Sequence, residues 1–299
     1  MQHILSSDQF TREQLLEIFN AAKKLQDSKE IPQTMKGKIL ATVFLEPSTR
    51  TRLSFETSML KLGGQVISIP NSESSSLNKG ESLEDTGRMI DSYADIIAMR
   101  VPKKGQVNIF STHISTPVIN AGDGTGDHPT QNLLDLYTIW KEHGKLDGLT
   151  IGLMGDCCNS RVLRGMAKML AEFDCKLIFI APPEVQMRID VKSYLKSKGK
   201  DYKIVESLDE VITDLDALEV NRIRHEYFED KERAKEIGKQ FIISKQMLEK
   251  GKEKLILLDP LPRINTYLEE VDEMPQAKYF EAVTNSLFVR MALINSLLG

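Results

Sequence analysis

Cysteine is scarce in this chain of 299 residues, and oddly placed: Cys157, Cys158 and Cys175, two of them adjacent. An odd count with a pair too cramped for an ordinary bridge gives no disulfide framework. No Cys-x-x-Cys or Cys/His spacing gives a zinc site either, so no metal is expected. That usage suits a reducing cytoplasm. No apolar run approaches the roughly 18 to 20 residues of a membrane span. The opening MQHILSSDQFTREQLLEIF lacks the basic-then-apolar layout of a secretory signal and reads as a capped amphipathic helix. Basic excess is missing too: 39 Lys+Arg against 43 Asp+Glu leave a net charge of −4, which argues against a general nucleic-acid binder. With only 11 Pro and 18 Gly, the chain is neither collagenous nor of low complexity.

What is present is an ordinary globular composition, 41% hydrophobic and 27% charged, in a length of about two domains. Apolar strands alternate with amphipathic helices almost throughout, the pattern of a mainly parallel sheet covered on both faces. Ser7 or Thr11 is placed to cap a first helix, which buries Leu15, Ile18, Phe19 and Ala22. Strand 39–45 leads through Glu46-Pro47-Ser48 into a helix that Gly63-Gly64 stops, and strand 65–69 follows. Residues 71–80, rich in Ser, Asn and Gly, read as a mobile loop. Helix 82–93, strands 95–100 and 116–120 and helix 129–142 complete a first series. A second runs from strand 149–154 through strands 176–181, 202–205, 216–220 and 255–258 to a closing apolar helix at 286–298. The fold expected is α/β, with two doubly wound parallel-sheet lobes and the C-terminal helix packing back on the first.

Chemistry concentrates at strand ends. Ser48-Thr49-Arg50-Thr51-Arg52 lies where a strand gives way to a helix, at the carboxyl edge where parallel sheets bind ligands. Free backbone N–H groups of a first helical turn, hydroxyls and guanidiniums all favour an anion. The plainer reading is a helix cap with solvated arginines, but three hydroxyls and two arginines in five positions exceed what a cap uses. There is no Walker loop and no Gly-x-Gly-x-x-Gly, so a nucleotide is not implied. A second segment, Asn120 to Gln131, runs from a strand end through a glycine-rich turn to Pro129, a residue suited to open a helix. His128 then sits at a helix N-terminus, where the dipole favours a neutral imidazole able to donate to a carbonyl oxygen. The alternative is a structural histidine capping its own turn. Arg100 ends another strand on the same edge; alone it would read as half of a surface ion pair.

The segments FLEPSTRTRLSFETSMLKLGG, KGESLEDT, NAGDGTGDHPTQNLLDLYTI, DPLPR and FVRMALI resemble the catalytic chains of the aspartate carbamoyltransferases, within the aspartate/ornithine carbamoyltransferase superfamily. The likeness runs from His3 to the last helix. It implies transfer of a carbamoyl group from carbamoyl phosphate to L-aspartate, giving N-carbamoyl-L-aspartate and phosphate in de novo pyrimidine biosynthesis. By that resemblance Ser48, Thr49, Arg50, Thr51, Arg100, His128 and Gln131 bind carbamoyl phosphate, with Arg50, Thr51, Arg100 and His128 the catalytic set. Ser76 (or Ser75), Lys79, Arg161, Arg222, Arg224, Leu261 and Pro262 would serve the aspartate side. The resemblance also implies a carbamoyl-phosphate domain at 1–133, joined by helix 284–299, and an aspartate domain at 134–283. No cofactor and no covalent intermediate are expected. The partners expected are the two substrates and a homotrimer with shared active sites, with room for a regulatory chain; neither nucleic acid nor membrane is among them.

The carbamoyl-phosphate half of the pattern is intact, and the acceptor half departs from it. Asp259-Pro260-Leu261-Pro262-Arg263 begins with Asp where the family shows His. Asn221-Arg222-Ile223-Arg224 ends in a cation where the family shows Gln, and Cys157-Cys158-Asn159-Ser160 stands where it shows Leu-Lys-Tyr-Gly. Two competing readings follow: a carbamoyltransferase for another amine, and a non-catalytic ligand-binding relative. The His-Cys-Leu-Pro segment and Ser-Met-Gly loop of ornithine enzymes are both absent from this sequence.

Overall fold

The computed structural model describes residues 2–224, 228–264, 266–267 and 269–299. In chain order the elements begin with α1 Arg12–Asp27, β1 Ile39–Phe44, α2 Thr49–Lys61 and β2 Gln65–Ile69. They continue with α3 Leu83–Asp91, β3 Ile96–Val101, α4 Gln106–Ser111, β4 Val118–Asp123 and α5 Pro129–His143. Next come β5 Thr150–Gly155, α6 Arg161–Leu170, β6 Lys176–Ile180, α7 Ile189–Ser197 and β7 Tyr202–Val205. The last are β8 Ala217–Asn221, α8 Lys231–Gln240, α9 Lys245–Glu249, β9 Ile256–Leu258 and α10 Tyr279–Leu298. No described helix is long and apolar enough to cross a membrane.

The chain divides into two compact units. One comprises the residues up to Tyr137 together with Val283–Gly299; the other is Thr138–Ala282. In the first, four strands pair in parallel in the order β2-β1-β3-β4. The inner strands are buried on both faces, as the unbroken apolar runs ILATVF and IIAMRV require. Ala41, Val43, Ile97 and Met99 pack with Val107 and Phe110 of α4. The free edge of β4 is met by the N-terminal segment: Ile4 N donates to Val118 O at 2.8 Å, and Asn120 N donates to Ile4 O at 2.7 Å. α10 closes the unit. Ser58 Oγ donates to Leu287 O, Gln26 Nε2 to Asn285 Oδ1 and Thr34 Oγ1 to Asn295 Oδ1.

The second unit has five parallel strands in the order β7-β6-β5-β8-β9, over a core that includes Met154, Ile180, Leu218, Val220 and Leu257. In both units the first strand lies inside the sheet and the chain winds away from it in two directions. The order reverses between β1 and β3 in one unit and between β5 and β8 in the other. At such a reversal the connections leave toward opposite faces and open a crevice at the carboxyl edge.

The fold is the two-lobed, doubly wound α/β architecture read from the sequence, and the differences are local. α4 was not foreseen; it is six residues long and opens at Gly105 in a left-handed conformation (φ 89°), with no capping side chain. α10 begins at Tyr279, seven residues ahead of the expected Ser286, and its opening turn already buries Tyr279 and Ala282. Thr11 caps α1 in a reciprocal box with Gln14, while Ser7 caps nothing and is buried. The 71–80 segment forms turns of its own, including a short 3-10 turn at Ser76–Lys79 closed by Gly80 at φ 94°.

Candidate functional site

Three features of the first unit meet at the carboxyl edge beside its strand-order reversal. The first is the start of α2. Ser48 is the N-cap residue by backbone geometry, but its side chain makes no capping hydrogen bond, and the first turn holds no acidic residue. A helix N-terminus whose cap hydroxyl is not engaged and whose dipole meets no carboxylate is arranged for an external anion. Thr49 and Arg50 are exposed, whereas Thr51 is buried. Arg52 differs from its neighbour: its Nε lies 3.7 Å from Glu56 Oε1 one turn on, so it serves the helix.

The second feature is Arg100, which stands level with Phe44 of β1; Leu45 N donates to its carbonyl at 2.8 Å. Its side chain is only 12% exposed and its Nε lies 3.2 Å from Glu46 Oε2. Burial presses the guanidinium's pKa down, Glu46 opposes that, and Arg50 presses it down further as a like charge. Two cations that repel across the switch point are relieved by an anion bound between them.

The third is the turn that carries His128. It is laid against the residues after Arg100. Gly124 N donates to Val101 O at 2.9 Å, and a Cβ on Gly124 (φ 50°) would fall 2.6 Å from Pro102 O. Asp127 fixes the turn, its carboxylate accepting from Ser7 N, Ser7 Oγ and His128 N, each at 2.7 Å. Asn132 Nδ2 donates to Ser7 Oγ at 2.8 Å. α5 opens at Pro129, and the buried His128 carbonyl accepts from Gln131 N at 3.0 Å. The ring Nδ1 lies 3.4 Å from Thr130 Oγ1. Gln131, half-buried in the first turn of α5, donates through Nε2 to both oxygens of Asp135 at 3.1 and 3.0 Å. Asp127, Asn132 and Asp135 were not read from the sequence as site residues, though adjacency to His128 and the four-residue spacing from Gln131 are their signals; Ser7, read there only as a cap, has no local signal for this role.

In the second unit the loops after β5, β8 and β9 share one carboxyl edge. Gly155 closes β5 at φ 109°, so close to β8 that a Cβ would lie 1.8 Å from Asn221 O, and only glycine fits. Asp156 accepts from Asn159 N at 2.9 Å and from Asn159 Nδ2 at 3.1 and 3.2 Å. Ser160 then caps α6, and half-buried Arg161 is its first residue. Burial raises the Asp156 carboxyl; the Asn159 hydrogen bonds and the positive charge of Arg224 pull against it. Arg222 and Arg224 follow β8, both half-buried, so Arg161, Arg222 and Arg224 flank the reversal between β5 and β8. After β9, Leu261 has φ 55° and a cis bond to Pro262, and its N–H donates to Asp259 Oδ1 at 2.6 Å. The loop is tied down by Arg263, which pairs with Asp272, itself an acceptor for Tyr279 Oη.

Ser76 and Lys79 stand apart from these clusters in burial. They follow edge strand β2 on an exposed turn bonded within itself, Gly80 N to Leu77 O and Glu81 N to Ser76 O. Burial pushes Cys157 and Cys158 up, with Asp156 adding to both, and burial pushes Cys175 up as well. Among the described residues no group of three His, Cys, Asp or Glu could hold a metal ion.

Two family models cover nearly the whole chain. One describes the carbamoyl-phosphate binding domain of aspartate/ornithine carbamoyltransferases and matches residues 2–141; the other describes their aspartate/ornithine binding domain and matches residues 147–297. The aspartate carbamoyltransferase catalytic subunit of Methanopyrus kandleri is 42% identical, over 99% of this chain and 97% of its own length. Among solved structures, the catalytic subunit of M. jannaschii aspartate transcarbamoylase superposes with a TM-score of 0.93 at 42% identity, covering 100% of this chain and 98% of that one. The Trypanosoma cruzi aspartate transcarbamoylase in complex with carbamoyl phosphate and aspartate gives a TM-score of 0.93 at 35% identity, over 100% and 96%.

Proposed function

The chain belongs to the aspartate/ornithine carbamoyltransferase family, and from that premise we propose how its residues divide the reaction. The enzyme transfers the carbamoyl group of carbamoyl phosphate to the amine of L-aspartate, giving N-carbamoyl-L-aspartate and phosphate. Its place is the step that brings aspartate into pyrimidine synthesis.

Ser48, Thr49, Arg50 and Thr51 hold the phosphate at the start of α2. Thr51, Arg100 and His128 direct donors at the carbamoyl oxygen, and Gln131 holds the carbamoyl amide. As the amine nitrogen attacks the carbamoyl carbon, charge gathers on that oxygen, and donors already in place stabilise it without reorganising. The carbon–oxygen bond to phosphate then breaks, and the leaving phosphate takes the amine's proton, so no side chain acts as nucleophile. Arg161, Arg222 and Arg224 offer three cations to an acceptor with two carboxylates, and the carbonyls of Leu261 and Pro262 receive its amine. The observation that carries this reading is the anion-ready N-terminus of α2 beside Arg100, at the strand-order reversal of the first sheet.

The test is a colorimetric assay of carbamoyl transfer with L-aspartate, L-ornithine and a panel of other amino acids. Turnover with aspartate supports the reading. Turnover with a different amine alone would make Asn221, Arg224 and Asp259 determinants of another specificity, and carbamoyl phosphate binding without turnover would sink catalysis altogether.

Ser76 and Lys79 we assign to the active site of a neighbouring copy in a cytoplasmic homotrimer. Their exposed turn and the relatives' description as catalytic subunits support an assembly, with room for a regulatory chain. Mixing separately inactive Lys79→Ala and Arg50→Ala proteins, unfolding and refolding them together, should restore activity, because some sites then receive both native residues. No recovery, with trimers present by ultracentrifugation, would count against shared sites.

A further inference from the structure

Gln131 and Asp135 lie four residues apart on one face of α5. Both oxygens of the fully buried Asp135 carboxylate take the Gln131 Nε2 group, at 3.1 and 3.0 Å. An ionised carboxylate only accepts hydrogen bonds, so the contact settles which end of the Gln131 amide faces it. Nitrogen turns toward Asp135, and Oε1 is the end left for a ligand.

A cation of the C-terminal helix acts on the same carboxylate. Arg290 of α10 is 2% exposed, stacks over Phe55 with its guanidinium carbon 5.0 Å from the ring centre, and interacts electrostatically with Asp135. Burial presses the guanidinium's pKa down and Asp135 opposes it. The attraction is mutual, so the cation favours the charged carboxylate.

We propose that Asp135, kept an acceptor by Arg290, presents Gln131 Oε1 to the ligand and thereby lets the site tell a carbamoyl from an acetyl group. The proposal rests on the assignment of Gln131 to the carbamoyl amide made above. A carbamoyl group ends in NH2, with two donors for an oxygen; an acetyl group ends in a methyl, which has none and leaves the oxygen unmet. Were the amide reversed, Nε2 would confront the substrate's NH2 donor to donor. Asp135 is a positioning residue in this scheme, and Arg290 acts through it.

The experiment compares carbamoyl phosphate, acetyl phosphate and inorganic phosphate, by KM for the first and by competitive inhibition for the others. In Asp135→Asn the new amide offers both a donor and an acceptor, so Gln131 can sit either way. The preference for carbamoyl over acetyl phosphate should shrink by about tenfold, with inorganic phosphate bound within about twofold of the parent, the change of a group that does not touch it. Asp135→Asn combined with Arg290→Met leaves no stranded charge and should shrink the preference equally, so it carries the test if the single variant does not fold. Gln131→Ala checks the underlying assignment. If it leaves the preference intact, that assignment fails and the proposal with it. If Gln131→Ala shrinks the preference while the Asp135 variants do not, only the role of Asp135 is overturned. Equal weakening of all three ligands would mark Asp135 as merely structural and would also overturn it.

Discussion

Arginines at or near one sheet edge have different tasks in this chain, and their neighbours decide which. Arg50, Arg52 and Arg100 are one example. Arg52 is engaged by Glu56 within its own helix, whereas Arg100 is held at the sheet edge by Glu46 and feels Arg50 as a like charge. Arg100→Ala should lower kcat/KM by about 10²- to 10³-fold, the scale of losing one preorganised donor to a developing oxyanion. Arg52→Ala should leave kinetics nearly unchanged and cost about 0.5 to 1 kcal/mol of stability, for the loss of a half-buried i,i+4 pair. Steady-state kinetics and thermal melts on the two proteins separate these outcomes, and equal losses in both would refute the distinction. The sequence showed that Ser48–Arg52 was excessive for a cap. That Arg52 pairs with Glu56 follows from helix phase and is open to a local reading, whereas Asp127 reaching back to Ser7 at 2.7 Å is a contact 120 residues away in the chain and is not legible in the local pattern.

At the scale of elements, most strands and helices were legible because inner parallel strands are continuous apolar runs and covering helices repeat at 3.6 residues. What escaped was a six-residue helix that opens at a glycine, too short to show a period, and the first two turns of α10. Strand order was not legible either, since periodicity says which segments are strands and not which lie side by side. Gly155 shows what that order demands. Its position against Asn221 exists only because β8 pairs with β5. Gly155→Ala combines a left-handed φ with a 1.8 Å clash against backbone, so a loss of about 3 kcal/mol or more is expected. A melting temperature within a degree or two of the parent would contradict it.

For the molecule as a whole, the two edges of the sheets differ in charge chemistry. Cations for ligands gather at the carboxyl edges, and at the opposite ends aspartate–lysine pairs tie the strands down. Asp95 accepts from Ile39 N and Lys38 Nζ, and Asp216 accepts from Thr150 N and Lys252 Nζ. Burial alone would raise these carboxyls, but the lysines and backbone N–H groups outweigh it and hold both below the usual carboxylate range. A folded-state pKa below the unfolded value gives stability that is present above the unfolded pKa and lost as pH falls through the folded one. Acid unfolding should therefore set in below roughly pH 4, the ordinary range of an aspartate. Asp216→Asn should lower stability at neutral pH and flatten that acid limb in a circular-dichroism titration; an unchanged limb would disprove the assignment. Inorganic phosphate should act the opposite way, raising the melting temperature with the logarithm of its concentration once that exceeds Kd. At a concentration of about 100 Kd the stabilisation expected is about 2.7 kcal/mol, and it should vanish in Arg50→Ala.

α10 also governs the order in which this protein can be made. Residues 283–299 belong to the unit begun by the N-terminal residues, while the whole of 138–282 lies in one uninterrupted stretch. During synthesis the ribosome therefore delivers everything the second unit needs before it delivers the helix whose Leu287, Asn285 and Arg290 complete the first. The unit that starts translation first is the one that finishes folding last, and until then the surface of α2 that α10 covers stays open.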